Sequence, residues 1–237
     1  MASQKSIDTL KTYIDNRKAK GHSYRGYPVY SPSQSDLRKL ASIADKYGLP
    51  FEWLANLINH ETAGTWNPAI QNSIGATGLI QFIPSTALGY GVNVNQLAQM
   101  SFAQQLDYVD KYLERNLKRV LDENGKIPKT FGQTDLFMTI FYPVAVGNPN
   151  YQFPIKVQVA NSGIRTPNDY TFRALRNPPF PLANYPSSFK EYLERFGDTT
   201  GSLLNPNRKW WVVPTIVVTF GVITTMIVYL YKKRKNG

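Results

Sequence analysis

The sequence predicts a mainly α fold, in which one helical domain is followed by a C-terminal transmembrane helix. Three observations lead to this prediction. Apolar residues recur at helical spacing in several segments between residues 6 and 142. Eight prolines between residues 143 and 186 then interrupt regular structure. Further along, residues 210–231 form a run of 22 residues without a formal charge.

The helical segments are predicted from their apolar periodicity, and they lie at residues 6–20, 35–48, 50–62, 101–122 and 133–142. Ser35 is the predicted N-cap of the second segment, and Gly48 is its predicted end. In the third segment an apolar stripe consists of Leu54, Leu57 and Ile58. Glu61 follows three residues later on the same face. Its carboxylate is therefore expected to face the core.

Residues 143–186 are predicted to be mostly ordered coil that wraps the domain, with a short strand at residues 155–159. A small helix is expected to begin at Ser187 or Ser188 and to end at Gly197. The predicted organisation is an N-terminal helix and loop (1–35), a domain with its proline-rich wrap (36–186), a short helix and linker (187–209), the membrane helix (210–231) and a basic tail (232–237).

The composition limits the kinds of site that the chain can build. There is no cysteine, so disulfides and cysteine-based zinc sites are excluded, and two histidines cannot form a three-histidine metal site. No cofactor is expected. The net charge of +11 suits a polyanionic partner such as cell wall, a membrane surface or nucleic acid. Because the basic residues are scattered apart from the C-terminal tail, a specific nucleic-acid interface is not expected.

Glu61 is the candidate residue for acid–base chemistry. Cleavage of a glycosidic bond needs a proton donor, and burial against apolar groups keeps a carboxyl protonated by raising its pKa. A glutamate at a helix end also often reaches solvent or a backbone N–H, so the position alone does not decide. A hydrolase with two carboxylates needs a second acid, and residues 66–95 contain none. Asp107, Asp110 or Asp135 could still approach in space.

Other catalytic motifs are not supported by the sequence. His60-Glu61 begins like the zinc-protease motif H-E-x-x-H, but residue 64 is glycine. A serine–histidine–aspartate triad has too few histidines to be credible. The glycine-rich segment at residues 75–78 lacks the lysine of a phosphate-binding loop.

A family resemblance is carried by the residues that follow Glu61. Residues 75–87 read GATGLIQFIPSTA. Together, Glu61-Thr62 and Gly78-Leu79-Ile80-Gln81 resemble the Glu-Ser and Gly-Leu-Met-Gln elements of soluble lytic transglycosylases, in the lysozyme-like superfamily. Residues 97–109 look like the helix that follows in this family. The third family element, Ala-Tyr-Asn, is matched less closely by Phe141-Tyr142-Pro143.

The resemblance covers about residues 36–150, and it implies a lysozyme-like α+β domain that acts on peptidoglycan. Glu61 would protonate the β-1,4 glycosidic oxygen between N-acetylmuramic acid and N-acetylglucosamine. It would then act as a base while the muramoyl 6-hydroxyl attacks C1, which leaves a 1,6-anhydro end. Tyr142 would orient the Glu61 carboxyl. The other residues expected at the substrate are Gly78, Gln81, Trp66 and Phe82, with Tyr90 as a further stacking group.

The run at residues 210–231 is long enough to cross a bilayer core of about 30 Å. Its ends carry the aromatic residues of an interfacial belt, which are Trp210, Trp211, Tyr229 and Tyr231. Four basic residues follow the run and two precede it, which favours a cytoplasmic C-terminus and an external domain. However, residues 1–20 do not resemble a secretory signal, and a tail anchor would leave the domain in the cytoplasm. The orientation therefore stays open.

A bacteriophage with an internal membrane would reconcile these arguments, because the domain would reach the wall during entry. Residues 1–35 could then contact capsid or other membrane proteins. The default is otherwise a membrane-bound enzyme of the bacterial envelope. The non-enzymatic alternative is a membrane-anchored glycan-binding or structural protein with an inactive lysozyme-like domain. Thr62 and Pro143 favour that alternative, whereas Glu61 and Gln81 oppose it.

Overall fold

The computed structural model describes residues 2–161 and 163–181, and this part of the chain is mainly helical. Its helices are α1 (Gln4–Ala19), α2 (Gln34–Tyr47), α3 (Phe51–Glu61), α4 (Pro84–Leu88), α5 (Val94–Gln99), α6 (Phe102–Leu117), α7 (Gln133–Phe141), α8 (Ile155–Ala160) and α9 (Pro167–Ala174). A 3₁₀ turn covers Pro143–Ala145, and an antiparallel hairpin pairs β1 (Ser23–Tyr24) with β2 (Tyr27–Pro28). The mainly α prediction is confirmed.

The ends of α2 show how local sequence sets the helix boundaries. The N-cap is Ser33, two residues before the predicted Ser35. The Ser33 hydroxyl accepts a hydrogen bond from the Asp36 backbone N–H. The Asp36 carboxylate in turn accepts one from the Ser33 backbone N–H. The predicted end at Gly48 is confirmed, because Gly48 adopts a left-handed φ of 72° and closes the helix. The N-cap shifted because only Ser33 stands three residues before an acidic partner.

The hairpin lies inside the segment that was expected to be a loop. Arg25 and Gly26 connect its two strands, and both have a positive φ, of 52° and 82°. Two successive left-handed residues match the right-handed twist of a tight two-residue turn. The hairpin and the isolated bridges that Thr77 makes with Gln71 and Phe82 supply the β component of the described residues.

The predicted strand at residues 155–159 is wrong, because these residues form helix α8. The expectation that residues 143–186 are mostly coil fails for α9 as well. The physical reason is the position of two prolines: Pro154 precedes α8, and Pro167 is the first residue of α9. A proline at a helix start costs no hydrogen bond, since the first N–H groups have no partner within the helix.

One hydrophobic core joins the N-terminal helix, the central helices and the C-terminal segment. Ile7, Leu10 and Ile14 of α1 are buried in the same core as α2 and α3. At the other end, residues 175–181 (here called the C-terminal strap) cross α3. Asn56 of α3 donates to the Phe180 carbonyl at 2.8 Å and accepts from its N–H at 3.1 Å.

The predicted short helix and linker, membrane helix and basic tail lie outside the described residues. Within residues 2–161 and 163–181, no helix has the length and apolar character needed to cross a membrane.

Candidate functional site

Glu61 is the last residue of α3, and its side chain lies on the face of the helix that packs into the core. Leu54, Leu57 and Ile58 are buried, and Glu61 is only 7% exposed. Burial raises the pKa of the Glu61 carboxyl to about 7, because the anion loses hydration. A hydrogen bond from the Tyr170 hydroxyl, at 3.0 Å, lowers the pKa in part. Near neutral pH this carboxyl can therefore both donate and accept a proton.

Tyr170 lies on α9 and is 1% exposed. Its ring stacks on Phe141 at 4.2 Å between centroids and meets His60 edge-on at 5.3 Å. Burial, followed by the nearby Glu61 charge, raises the pKa of Tyr170 well above its usual value. The phenol therefore stays protonated and donates to the carboxylate. The sequence did not indicate this residue, because the prolines of residues 143–186 predicted mostly coil there.

A second tyrosine faces the same region from α6. Tyr112 is buried, and its hydroxyl donates to the Thr139 carbonyl at 3.3 Å. Burial raises its pKa, and the negative charge of Glu61 contributes in the same direction. A narrow depression lies beside Tyr112, and it is lined by Ile80, Gln81, Phe82, Ile83, Thr86, Tyr112 and Ile140. Tyr112 therefore lines this depression together with Gln81 of the glycine-rich loop.

The loop at residues 78–81 is held by a buried glutamine of α6. The side-chain oxygen of Gln105 accepts from the Leu79 N–H at 3.0 Å, while its amide nitrogen donates to the carbonyls of Leu97 and Pro68. The Gln81 side chain donates to the Gly78 carbonyl at 3.0 Å, and Gln81 has a φ of 53°. The side-chain amide of Gln81 was expected to face the substrate, but in the structure it donates a hydrogen bond within its own loop.

Gly78→Ala is expected to lower the free energy of unfolding by about 2–4 kcal/mol, through a strained backbone and a steric overlap. Gly78 has a φ of +88°. An added Cβ would lie 3.0 Å from Cδ of Gln105 and closer still to Oε1 of the same side chain. Gly125→Ala is the matched control, because Gly125 has a φ of +70° with no atom within 4 Å of the added Cβ. Urea unfolding of both variants measures the difference. Equal losses would contradict a role for the Gln105 contact.

Two of the predicted stacking residues, Trp66 and Phe82, do not present their faces to a sugar. Trp66 is completely buried, with its ring stacked on Phe102 at 6.5 Å and its N–H donating to Asn59 at 3.2 Å. The prediction that Trp66 binds substrate by stacking is therefore wrong. Phe82 is also buried, and its ring packs in T-shaped arrangements with Tyr90 and Tyr112. Local sequence did not show that both aromatic rings complete the core.

Tyr142 was expected to orient Glu61, whereas the hydroxyl that donates to Glu61 in the structure belongs to Tyr170. Tyr142 is buried in an aromatic cluster, with ring centroids 5.7 Å from Tyr151 and 5.2 Å from Phe153. Burial raises its pKa, and Tyr151 acts in the same direction. The structure therefore places Tyr142 among aromatic side chains and Tyr170 at the carboxyl.

The three aspartates considered as second acids are engaged with other groups. Asp107 pairs with Lys39 at 2.6 Å, and Asp110 pairs with Lys46 at 2.9 Å. Asp135 accepts from the backbone N–H groups of Gly132 and Gly147, at 2.8 and 2.6 Å. Within the described ranges, no group of three histidine, cysteine, aspartate or glutamate side chains could hold a metal ion. Each of the three aspartate carboxylates is therefore paired with a group other than Glu61.

His60 precedes Glu61 and is held neutral. Burial lowers its pKa to about 4, and Arg173 contributes in the same direction. A neutral imidazole next to Glu61 adds no positive charge that would stabilise the carboxylate. Burial is therefore the cause of the raised Glu61 pKa, and the hydrogen bond from Tyr170 opposes it.

The arrangement of Glu61 and the loop agrees with a comparison against known families. Residues 40–125 match the model of the transglycosylase SLT domain, and this segment includes Glu61, Gly78, Gln81 and Gln105. No curated protein and no solved structure matches the chain. The domain indicates a glycan-cleaving enzyme of lysozyme-like type, with peptidoglycan as its substrate. Residues 40–125 are therefore similar to a transglycosylase SLT domain, and this similarity supports a relationship with the soluble lytic transglycosylases of the lysozyme-like superfamily.

Proposed function

We propose that this protein cleaves the β-1,4 bond between N-acetylmuramic acid and N-acetylglucosamine, with Glu61 as the single acid and base. The observation that carries the proposal is the buried Glu61 carboxyl, whose pKa is about 7 and which accepts from the Tyr170 hydroxyl. A carboxyl with this pKa is present in both protonation states near neutral pH, as a two-step proton relay requires.

The reaction has two proton transfers, both through Glu61. In the first, protonated Glu61 gives its proton to the glycosidic oxygen, and the bond from that oxygen to C1 of the muramoyl residue breaks. In the second, the Glu61 carboxylate removes the proton of the muramoyl 6-hydroxyl while O6 bonds to C1. Glu61 is protonated again, no water is consumed, and the product has a 1,6-anhydro end. Tyr170 keeps the carboxyl oriented in both steps by donating to one of its oxygens.

The glycan is proposed to bind along the depression beside Gln81 and Tyr112. Gly78 and Gln81 would shape one side of this depression through their backbone, because the Gln81 side-chain amide already donates to the Gly78 carbonyl. Tyr142 is also proposed to contribute to substrate binding, as a member of the aromatic cluster that it forms with Tyr151 and Phe153.

We also propose that residues 210–231 anchor the enzyme in a membrane, either in the bacterial envelope or inside a phage virion. The support is the length of the uncharged run, its aromatic ends and the basic residues that follow. In a virion, the enzyme would open the cell wall during phage entry or during lysis of the host cell. Quantifying the protein in purified virions distinguishes the two locations. If the protein is absent from virions, the bacterial envelope is the remaining proposed location.

The product of the reaction provides the test of the proposed function. The full-length chain, purified in mild detergent, is incubated with purified peptidoglycan, and soluble fragments are analysed by mass spectrometry. Anhydro products, lighter by one water molecule than hydrolysis products, are expected from the native chain. Reducing ends instead would show a hydrolytic muramidase and would overturn the one-carboxyl mechanism.

Two observations support a second candidate function: the low exposure of Glu61 and the narrowness of the depression beside Tyr112. These features also suit a membrane-anchored glycan-binding or structural module without activity. Sedimentation of the protein with peptidoglycan distinguishes the two candidates. Binding without any product would favour the inactive module.

A further inference from the structure

The turn that follows Glu61 has a strained backbone. Ala63, Gly64 and Trp66 all have a positive φ, of 49°, 72° and 55°. Alanine and tryptophan rarely adopt this conformation, which costs each of them about 1 kcal/mol or more. Such a turn persists only where surrounding contacts hold it, and its position immediately after α3 links it to the Glu61 carboxyl.

The first set of contacts comes from within the turn. The Thr62 hydroxyl donates to the Ile58 carbonyl at 2.7 Å and accepts from the Trp66 N–H at 3.1 Å. The Thr65 hydroxyl donates to the Thr62 carbonyl at 2.8 Å. These bonds close the turn on itself but leave the carbonyls of Ala63 and Gly64 to partners elsewhere.

The N-terminal segment supplies those partners. The Arg17 Nε of α1 donates to the Gly64 carbonyl at 3.0 Å, and the His22 ring nitrogen lies 3.1 Å from the Ala63 carbonyl. The Arg17 guanidinium also contacts the His22 ring. A Cβ added to Gly64 would lie within 3 Å of this guanidinium. Arg17 therefore packs directly against the strained backbone.

Arg17 is also linked to the C-terminal strap, which follows the helix that carries Tyr170. Its guanidinium carbon lies 5.7 Å from the ring centroid of Tyr13. The Tyr13 hydroxyl donates to the Asn177 carbonyl of the C-terminal strap at 3.0 Å, and Asn59 of α3 donates to the same carbonyl at 3.3 Å. The N-terminal helix thus contacts both the turn after Glu61 and the strap that follows α9.

We propose that Arg17 is a positioning residue of the active site, which fixes the end of α3 and hence the Glu61 carboxyl by holding the Ala63–Gly64 turn. Arg17 lies outside the segment that matches the family model, residues 40–125. The N-terminal helix is then a required part of the catalytic unit. This inference rests on the proposed function of Glu61.

The test compares Arg17→Ala and Arg17→Lys with the native chain, all full-length in mild detergent. Initial rates are measured over a range of solubilised glycan concentrations. Arg17→Ala is expected to lower kcat about tenfold with KM within about twofold, because misplacement of the acid affects the chemical step more than binding. Guanidinium ion, well below denaturing concentrations, is expected to restore most of the lost kcat. Arg17→Lys should retain part of it.

A merely structural role would give a different result. Arg38→Ala, an exposed arginine of α2, is the matched control and should behave like the native chain. Loss of kcat in proportion to loss of folded protein, without rescue by guanidinium, would overturn the proposal. Native-like kcat in Arg17→Ala would also overturn it. No activity in the native chain would instead contradict the proposed function itself.

Discussion

Glu61→Gln is expected to reduce glycan cleavage by about 10²–10⁴-fold, the usual contribution of a general acid and base. Glutamine keeps the shape of the side chain and can still accept the hydrogen bond from Tyr170, but it can transfer no proton. The release of soluble fragments from purified peptidoglycan measures the loss. Glu123→Gln, at an exposed position, is the control and should keep native activity.

The same substitution has an expected effect on stability that depends on pH. Because the Glu61 pKa is raised from 4.5 to about 7, folding favours the protonated carboxyl. The stability that this gives is fully present below pH 4.5 and is lost as the pH rises through 7. Above pH 7 the loss reaches about 3 kcal/mol. Glu61→Gln should therefore be more stable than the native chain above pH 7, as thermal unfolding at several pH values will show.

An active Glu61→Gln variant would exclude Glu61 as the proton donor. A stability difference that does not change between pH 4 and pH 9 would show that the carboxyl titrates normally in the folded chain. The first outcome concerns the mechanism, and the second concerns the burial that supports it.

The position of Glu61 could be predicted from the sequence because it depends on one helix. The spacing of Leu54, Leu57 and Ile58 fixed the inner face of α3, and the structure buries all three together with Glu61. The glycine-rich loop was also recognisable, because its residues are contiguous in sequence. Local periodicity and a short motif are sufficient for features of this kind.

The contacts that complete the site could not be predicted in this way. Tyr170 donates to Glu61 across 109 residues, and Gln105 accepts from Leu79 across 26. Neither pairing leaves a periodic signal, since each depends on how separate helices pack. Trp66 was misjudged for a related reason: its positive φ, which turns the chain at this point, is not predictable from a tryptophan.

Tyr170→Phe is expected to shift the alkaline limb of the pH–activity profile to higher pH and to lower the maximal rate about tenfold. The hydrogen bond from Tyr170 stabilises the Glu61 anion, so its loss raises the Glu61 pKa further. The rate falls because the carboxyl loses the group that orients it. Tyr142→Phe removes a hydroxyl from the other candidate tyrosine and should leave the alkaline limb in place. If Tyr142→Phe moves the limb and Tyr170→Phe does not, Tyr142 is the residue that orients Glu61 in the working enzyme.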